Sequence, residues 1–242
     1  MTRQRADTLL VDRRFFASRA QARAAIEAGL VRAAGRTVRK PAEPIDADCA
    51  IEAAAPHPWV SRGGVKLAAA LDAFAIDPAA RPCLDIGAST GGFTHVLVSR
   101  GAACVTAVDV GHGQLHASLR SHPAVVSLEG LDARALTPAM LALPPAIITC
   151  DASFISAKLI LPHVLALAAA PQATLVLLIK PQFEAGRARV AKGVVRDAAV
   201  HDDVCAEIAA LVEALGWVVI GLMPSPIEGG DGNHEFLLGA RR

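Results

Sequence analysis

The short apolar run Cys83-Leu-Asp-Ile-Gly87 breaks directly into Ala88-Ser-Thr-Gly91-Gly92. No other feature constrains the fold as much. A buried strand that ends in glycines and feeds a helix, here through Val96 and Leu97, is the opening unit of a doubly wound α/β domain. The pattern then repeats. A second run, Cys104 to Val108, ends in Asp109, and further runs follow at Val125 to Leu128, Ala146 to Thr149 and Thr174 to Ile179. Helical segments are expected between them, best seen in Ile208, Leu211, Val212 and Leu215 at i, i+3, i+4, i+7 spacing. Trp217 to Met223 and Glu235 to Ala240 supply two last strands. This alternation predicts a mostly parallel sheet with its ligands at the carboxyl ends of the strands.

Charge divides the chain in two. Residues 1–40 hold ten Lys/Arg against three Asp/Glu, although the whole chain carries only +1. Such asymmetry marks a basic module for a polyanion joined to a different machine. Ser18 and Gln21 have the form of a capping box, so a helix is expected from Arg19, with Gly29 just past its end. Arg19 and Arg23 then share one outer face. A short helix through Arg13 and Arg14 should precede it. Leu30-Val31 and Thr37-Val38 flank Ala33-Ala34-Gly35 as a small hairpin. Pro41, Pro44, Pro56 and Pro58 punctuate a connector ending near Trp59, giving a small α+β module over 1–58 and a large domain over 59–242.

Several function classes are disfavoured. No apolar run reaches the ~18 residues of a membrane helix; the longest candidate, Leu159 to Ala170, is interrupted by Pro162 and His163. Met1 to Arg5 lead into charge, so no secretory leader is expected. Five scattered cysteines without a C-x-x-C pair fit a reduced cytoplasmic protein. His112 and His116 lack Cys or acidic partners, so no metal site is expected.

The glycine loop selects among nucleotide-like cofactors. With Gly87 and Gly92 as first and third glycines of a dinucleotide fingerprint, Ser89 stands where the pyrophosphate needs glycine, which argues against NAD. No P-loop pattern occurs either. A cofactor without phosphates needs no such approach, and the Asp85-x-Gly87-x-x-x-Gly91 form suits S-adenosylmethionine. The expected contacts are Asp85 near the cationic ligand, the loop Gly87, Ser89, Thr90, Gly91, Gly92 and Phe93, Asp109 on the ribose hydroxyls, and Asp132 on the adenine amino group.

Four charged residues fall at one edge of the predicted sheet. Lys180 follows the strand Thr174–Ile179, Asp151 follows Ala146–Cys150, Glu235 opens the last strand, and Lys66 begins a helix, where a cation opposes the macrodipole. Singly, each reads as a surface charge; their convergence points to a site.

These residues carry a family resemblance. Arg5-Ala-Asp-Thr-Leu-Leu, Ser18-Arg19-Ala-Gln-Ala, Ile26-Glu-Ala-Gly29 and Val38-Arg-Lys-Pro41 resemble the small RNA-binding domain named after ribosomal protein S-four. Ser61-Arg-Gly-Gly-Val-Lys66-Leu, Asp85-Ile-Gly-Ala-Ser-Thr-Gly-Gly-Phe-Thr94, Asp151-Ala-Ser-Phe-Ile-Ser156, Ile179-Lys-Pro-Gln-Phe-Glu184 and Gly232-Asn-His-Glu-Phe236 resemble the TlyA group, often labelled hemolysin A, among the FtsJ-like 2′-O-ribose methyltransferases. The resemblance implies a Rossmann-like methyltransferase domain, a Lys66, Asp151, Lys180, Glu235 tetrad, and a cytidine ribose of large-subunit (in some members also small-subunit) ribosomal RNA as substrate. It departs at His112 and Ala117, where aromatics are more common, and at Lys192-Gly-Val-Val-Arg196, one glycine short. A ribose 2′-hydroxyl is a poor nucleophile, so a base must take its proton; a lysine serves once a neighbouring cation or partial burial lowers its basicity. The expected roles are Lys180 as base, Lys66 as the nearby cation, Asp151 orienting Lys180, and Glu235 holding Lys66 or the ribose. Arg5, Arg13, Arg14, Arg19, Arg23 and Lys40 are the expected RNA contacts. The alternatives are a non-catalytic ribosome-assembly factor and, against the missing leader and membrane segment, a hemolysin.

Overall fold

The computed structural model describes residues 2–169 and 171–242. Met1 and Ala170, which end the leader and apolar runs considered above, lie outside the described residues. The chain forms two compact units, Met1–Pro58 and Trp59–Arg242.

In the first unit β1 (Arg3–Arg5) leads into α1 (Ala6–Asp12), α2 (Arg19–Glu27), β2 (Val31–Ala33), β3 (Arg36–Thr37), β4 (Pro44–Asp46) and β5 (Ile51–Ala53). The capping box forms in a shifted version. Ser18 Oγ accepts from Gln21 N at 3.3 Å, and Gln21 Oε1 accepts from Ala17 N at 3.1 Å. The hairpin joins β2 to β3, and β5 completes a three-stranded sheet. The first helix stops short of Arg13 and Arg14: it ends at Asp12, and Arg14 takes a left-handed φ of 60° that no helix accommodates. Ala6, Leu9, Leu10, Ala22, Ala25, Ile26 and Val31 form a core of this unit's own.

The second unit is built on a seven-stranded sheet. Its strands are β6 (Pro82–Ile86), β7 (Cys104–Asp109), β8 (Val125–Glu129), β9 (Ile147–Cys150), β10 (Thr174–Ile179), β11 (Val218–Pro224) and β12 (Phe236–Arg241), ordered β11-β12-β10-β9-β6-β7-β8. Strands β6 to β10 are parallel; β12 pairs antiparallel with β10 and β11. The period of two explains the double burial. Cys83, Val105, Ile147, Val176, Leu178 and Leu237 face α3 (Gly63–Ala73) and α4 (Gly92–Ser99). Leu84, Ile86, Ile148, Leu175, Leu177 and Leu238 pack instead with α5 (Ala198–Ala214) and Leu161, Val164 and Leu165.

The crossovers between β7 and β9 are thinner than alternation implies. Only Ala117–Arg120 is α-helical there, and β8 is followed by single 3₁₀ turns at Ala133–Ala135 and Pro138–Met140. Pro138, Pro144 and Pro145 remove backbone donors across the span between β8 and β9, which breaks up a regular helix there. The final strand begins at Phe236, leaving Glu235 on the loop before it.

Candidate active site

The strand order reverses between β6 and β9, and a doubly wound sheet opens its ligand crevice at such a point. Gly87 ends β6 there with φ 77°, and a Cβ on it would lie 2.7 Å from the carbonyl oxygen of Asp151 at the end of β9. Only glycine lets the two strand ends meet this closely. Two cavities open over the crevice, of about 500 and about 590 Å³, within the usual range for small-molecule sites. They share Gly87, Ser89, Asp151, Ser153, Phe154 and Lys180.

The larger cavity is lined by Val108, Val110, Leu131, Ile155 and Ile160, together with Asp109 and Asp132. Asp109 accepts from Ser89 N at 2.8 Å and Gly111 N at 2.7 Å, which fixes its carboxylate at the cavity wall. Asp132 lines the same wall, but its carboxylate is gripped by the Arg134 side chain at 2.6 and 3.0 Å and by Arg134 N. Those bonds hold its acid down at about 2. Apolar walls for a base plus a fixed carboxylate for vicinal hydroxyls fit the adenosine half of S-adenosylmethionine. Ser89, Thr90, Gly92 and Phe93 line the smaller cavity, where the amino-acid half would lie.

Two expected contacts are not at the wall. Gly91 caps α4 with φ 96°, and a Cβ there would run into Leu115 and Leu119; its task is to seat those side chains. Asp85 is fully buried and lines neither cavity. Its carboxylate accepts from Thr94 Oγ1 at 2.6 Å and Thr149 Oγ1 at 2.8 Å, tying β6 to α4 and β9. Alternation within β6 puts Asp85 on the same face as Cys83, turned toward Thr94 of α4 and Thr149 of β9 rather than into either cavity.

Burial pushes the Asp85 carboxyl up to about 6, against the hydrogen bonds from the two threonines. The native state therefore holds this proton more tightly than the unfolded chain, whose value is about 4. Its contribution is full below that value and is lost as pH rises through about 6. Asp85→Asn should remove this dependence. Urea melts of both proteins should show the wild type losing about 1–3 kcal/mol relative to the variant between pH 4 and 7. A constant difference across that window would contradict the buried-carboxyl reading.

The four charged residues of the tetrad all line the smaller cavity. Lys66, in the first turn of α3, pairs with Glu235. Lys180 pairs with Asp151 Oδ1 at 2.5 Å and donates to Ser153 Oγ at 2.7 Å and Asp151 O at 3.3 Å. Lys66, Lys180 and Glu235 are buried and Asp151 is half-buried. Each cation has its own carboxylate, so the cluster is tolerated away from water. Pro181 helps place Lys180: the residue before proline is driven to extended backbone, here φ −117°, ψ 96°, at the elbow between β10 and the turn Pro181–Glu184.

Sequence reading missed Ser153, two positions after Asp151, and Asn233. Asn233 is buried and bonds Val195 N, Gly193 O and Gly230 O, pinning the loop before Glu235 to the Lys192–Arg196 segment. A buried amide inside a run as polar as Gly229–Asn233 was the available signal. Phe154 stands 92% exposed on both cavities with φ 65°.

In the basic unit the candidate RNA contacts differ in freedom. Arg5 and Arg19 both pair with Asp7, at 2.9 and 2.8 Å. Arg23 pairs with Glu27 at 3.8 Å, so the shared face of Arg19 and Arg23 is also a face of intramolecular pairs. Arg13 donates to Cys49 O at 2.6 Å and lies over the Phe15 ring. Arg14 and Lys40 are exposed.

Comparison with known proteins agrees with this geometry. The FtsJ-like methyltransferase family matches residues 59–242, and the S4 domain matches residues 4–48. The chain is 45% identical to a 16S/23S rRNA (cytidine-2'-O)-methyltransferase TlyA of Mycobacterium tuberculosis, over 99% of this chain and 90% of that one. It is 39% identical to Hemolysin A of Brachyspira hyodysenteriae, over 91% and 92%. A solved structure designated a hemolysin, from Streptococcus thermophilus, superposes with TM-score 0.78 at 39% identity, covering 100% of this chain and 89% of that one. Magnesium protoporphyrin IX methyltransferase of Synechocystis PCC 6803 with bound SAM shares the fold at TM-score 0.51 and 16% identity, over 75% and 78%.

Proposed function

This chain belongs to the FtsJ-like methyltransferase family, and we propose that it methylates ribosomal RNA on the ribose 2′-hydroxyl of a cytidine, with S-adenosylmethionine as methyl donor. The observation that supports this most is the junction of the two cavities. A bipartite cofactor fits them with its reacting centre where they meet, and Asp151 and Lys180 stand at that junction.

S-adenosylmethionine supplies a methyl group made electrophilic by its sulfonium. Asp109 would take the ribose hydroxyls of the cofactor, and Gly87 and Ser89, which line both cavities, would lie along it between them. Lys180 first gives up its own proton to solvent and then, as the neutral amine, takes the proton of the attacking 2′-hydroxyl. The ammonium so formed finds Asp151 Oδ1, Ser153 Oγ and Asp151 O already arranged around it, so no reorganisation accompanies the charge. Lys66, held by Glu235, supplies a fixed cation at the other wall of the smaller cavity. Alignment of oxygen, methyl and sulfur contributes as much as the base.

The S4 domain supplies RNA affinity rather than chemistry, through phosphate contacts that fix register. The substrate is ribosomal RNA or a ribosomal subunit, and the protein acts in the cytoplasm. No described helix is long and apolar enough to cross a membrane. Alkaline hydrolysis tests the chemistry. A methylated 2′-oxygen cannot attack its own phosphodiester, so treated ribosomal RNA should gain one alkali-resistant linkage after a cytidine. Methyl incorporation without such a gap in the ladder would move the reaction to a base.

A further inference from the structure

Arg5 ends β1 and Arg19 begins α2, yet both guanidiniums meet on one carboxylate. Asp7 Oδ2 accepts from Arg5 Nη2 at 2.9 Å and from Arg19 Nη2 at 2.8 Å, while Oδ1 accepts from Arg5 Nε at 3.0 Å and Thr8 Oγ1 at 3.3 Å. The Asp7 side chain is 2% exposed, whereas those of Arg5 and Arg19 are 48% and 59% exposed. We propose that Asp7 is a positioning residue that holds Arg5 and Arg19 together as a two-headed clamp for RNA phosphate. The inference rests on the RNA-binding reading of this unit.

A guanidinium has five N–H donors in a fixed fork. Arg5 commits two of them to Asp7 and Arg19 commits one, leaving the remainder on the exposed side. Free arginine side chains lose rotamer freedom when they grip a phosphate; here Asp7 imposes that loss at folding, before RNA arrives. Two guanidiniums brought together would also repel, and the carboxylate between them removes that repulsion. The pair keeps its carboxyl well below the usual carboxylate range, so the clamp stays charged throughout the neutral region.

The arrangement reverses a simple charge expectation. Asp7 subtracts one charge from a phosphate-binding face, so on net charge alone Asp7→Asn should tighten RNA binding. Positioning predicts the opposite, because an amide in place of Oδ2 releases one guanidinium.

The test uses the full chain and ribosomal RNA extracted from large subunits, titrated across a salt series. Asp7→Asn should weaken binding about tenfold, the equivalent of one charge-assisted hydrogen bond, without a steeper salt dependence. Arg5→Gln/Arg19→Gln should weaken it at least as much, and adding Asp7→Asn to that pair should cost nothing further. Arg5→Lys/Arg19→Lys, which leaves Asp7 and the net charge in place, should also weaken binding, since an ammonium lacks the planar fork. Unchanged or tighter binding by Asp7→Asn, or full affinity in the lysine pair, would overturn the clamp. An equal loss from Asp7→Asn in both backgrounds would do so too, by showing plain structural support. Full affinity in the glutamine pair would instead sink the RNA-binding reading of these arginines.

Discussion

Lys180→Ala should lose about 10²–10⁴-fold in methyl transfer, the usual range for a positioned base, while S-adenosylmethionine affinity changes little. Lys180 touches the Asp151 carboxylate, Asp151 O and Ser153 Oγ, and no other residue lining both cavities carries a side-chain nitrogen. Alanine also leaves Asp151 without its cation, so Lys180→Arg is the sharper companion. Arginine keeps the positive charge but stays protonated, and should lose turnover on a comparable scale if proton removal is the role. Single-turnover rates with saturating cofactor check both. Near-native rates in Lys180→Ala would remove it from the mechanism, and near-native rates in Lys180→Arg alone would reassign it as a fixed cation.

Asp109→Ala should weaken S-adenosylmethionine by about 1–3 kcal/mol, roughly 5- to 150-fold in Kd, the loss for bonds to a charged acceptor. The carboxylate does two jobs. Its oxygens already receive Ser89 N and Gly111 N, and its placement at the cavity wall offers remaining lone pairs to ribose hydroxyls. Part of the loss therefore comes from a loosened Ser89 loop, where φ is 47°. Asp109→Asn retains one carbonyl acceptor and should fall between wild type and alanine. Calorimetry reads this directly. Unchanged affinity in Asp109→Ala, or binding of NADH in place of S-adenosylmethionine, would contradict the cofactor assignment.

The strands of the catalytic unit were legible because parallel strands buried on both faces leave uninterrupted apolar runs, as Thr174–Ile179 shows. Polar residues that end such runs fall at one sheet edge by topology alone, which is how Asp151 and Lys180 can be read together from the sequence. What periodicity does not carry is the partner of a side chain. Arg19 reads as a free surface cation until Asp7, on another helix, is seen to hold it. Asp85 sits in a glycine motif that suggests ligand contact, yet its alternation within β6 turns it toward Thr94 and Thr149. The insertion of β12 between β10 and β11 is equally invisible, because it depends on pairing across the chain rather than on any local pattern. The missing helix after β8 follows from Pro138, Pro144 and Pro145, residues visible in the sequence that regular alternation outweighs.

Methyl transfer to a ribose of ribosomal RNA at the Lys66, Asp151, Lys180, Glu235 site is tested most directly by incubating purified protein with separated ribosomal subunits and isotopically labelled S-adenosylmethionine, then digesting the RNA for nucleoside mass spectrometry. Wild-type protein should yield labelled 2′-O-methylcytidine, and Lys180→Ala only background. Label in a base-methylated nucleoside, or no label in the RNA of either subunit, would contradict it.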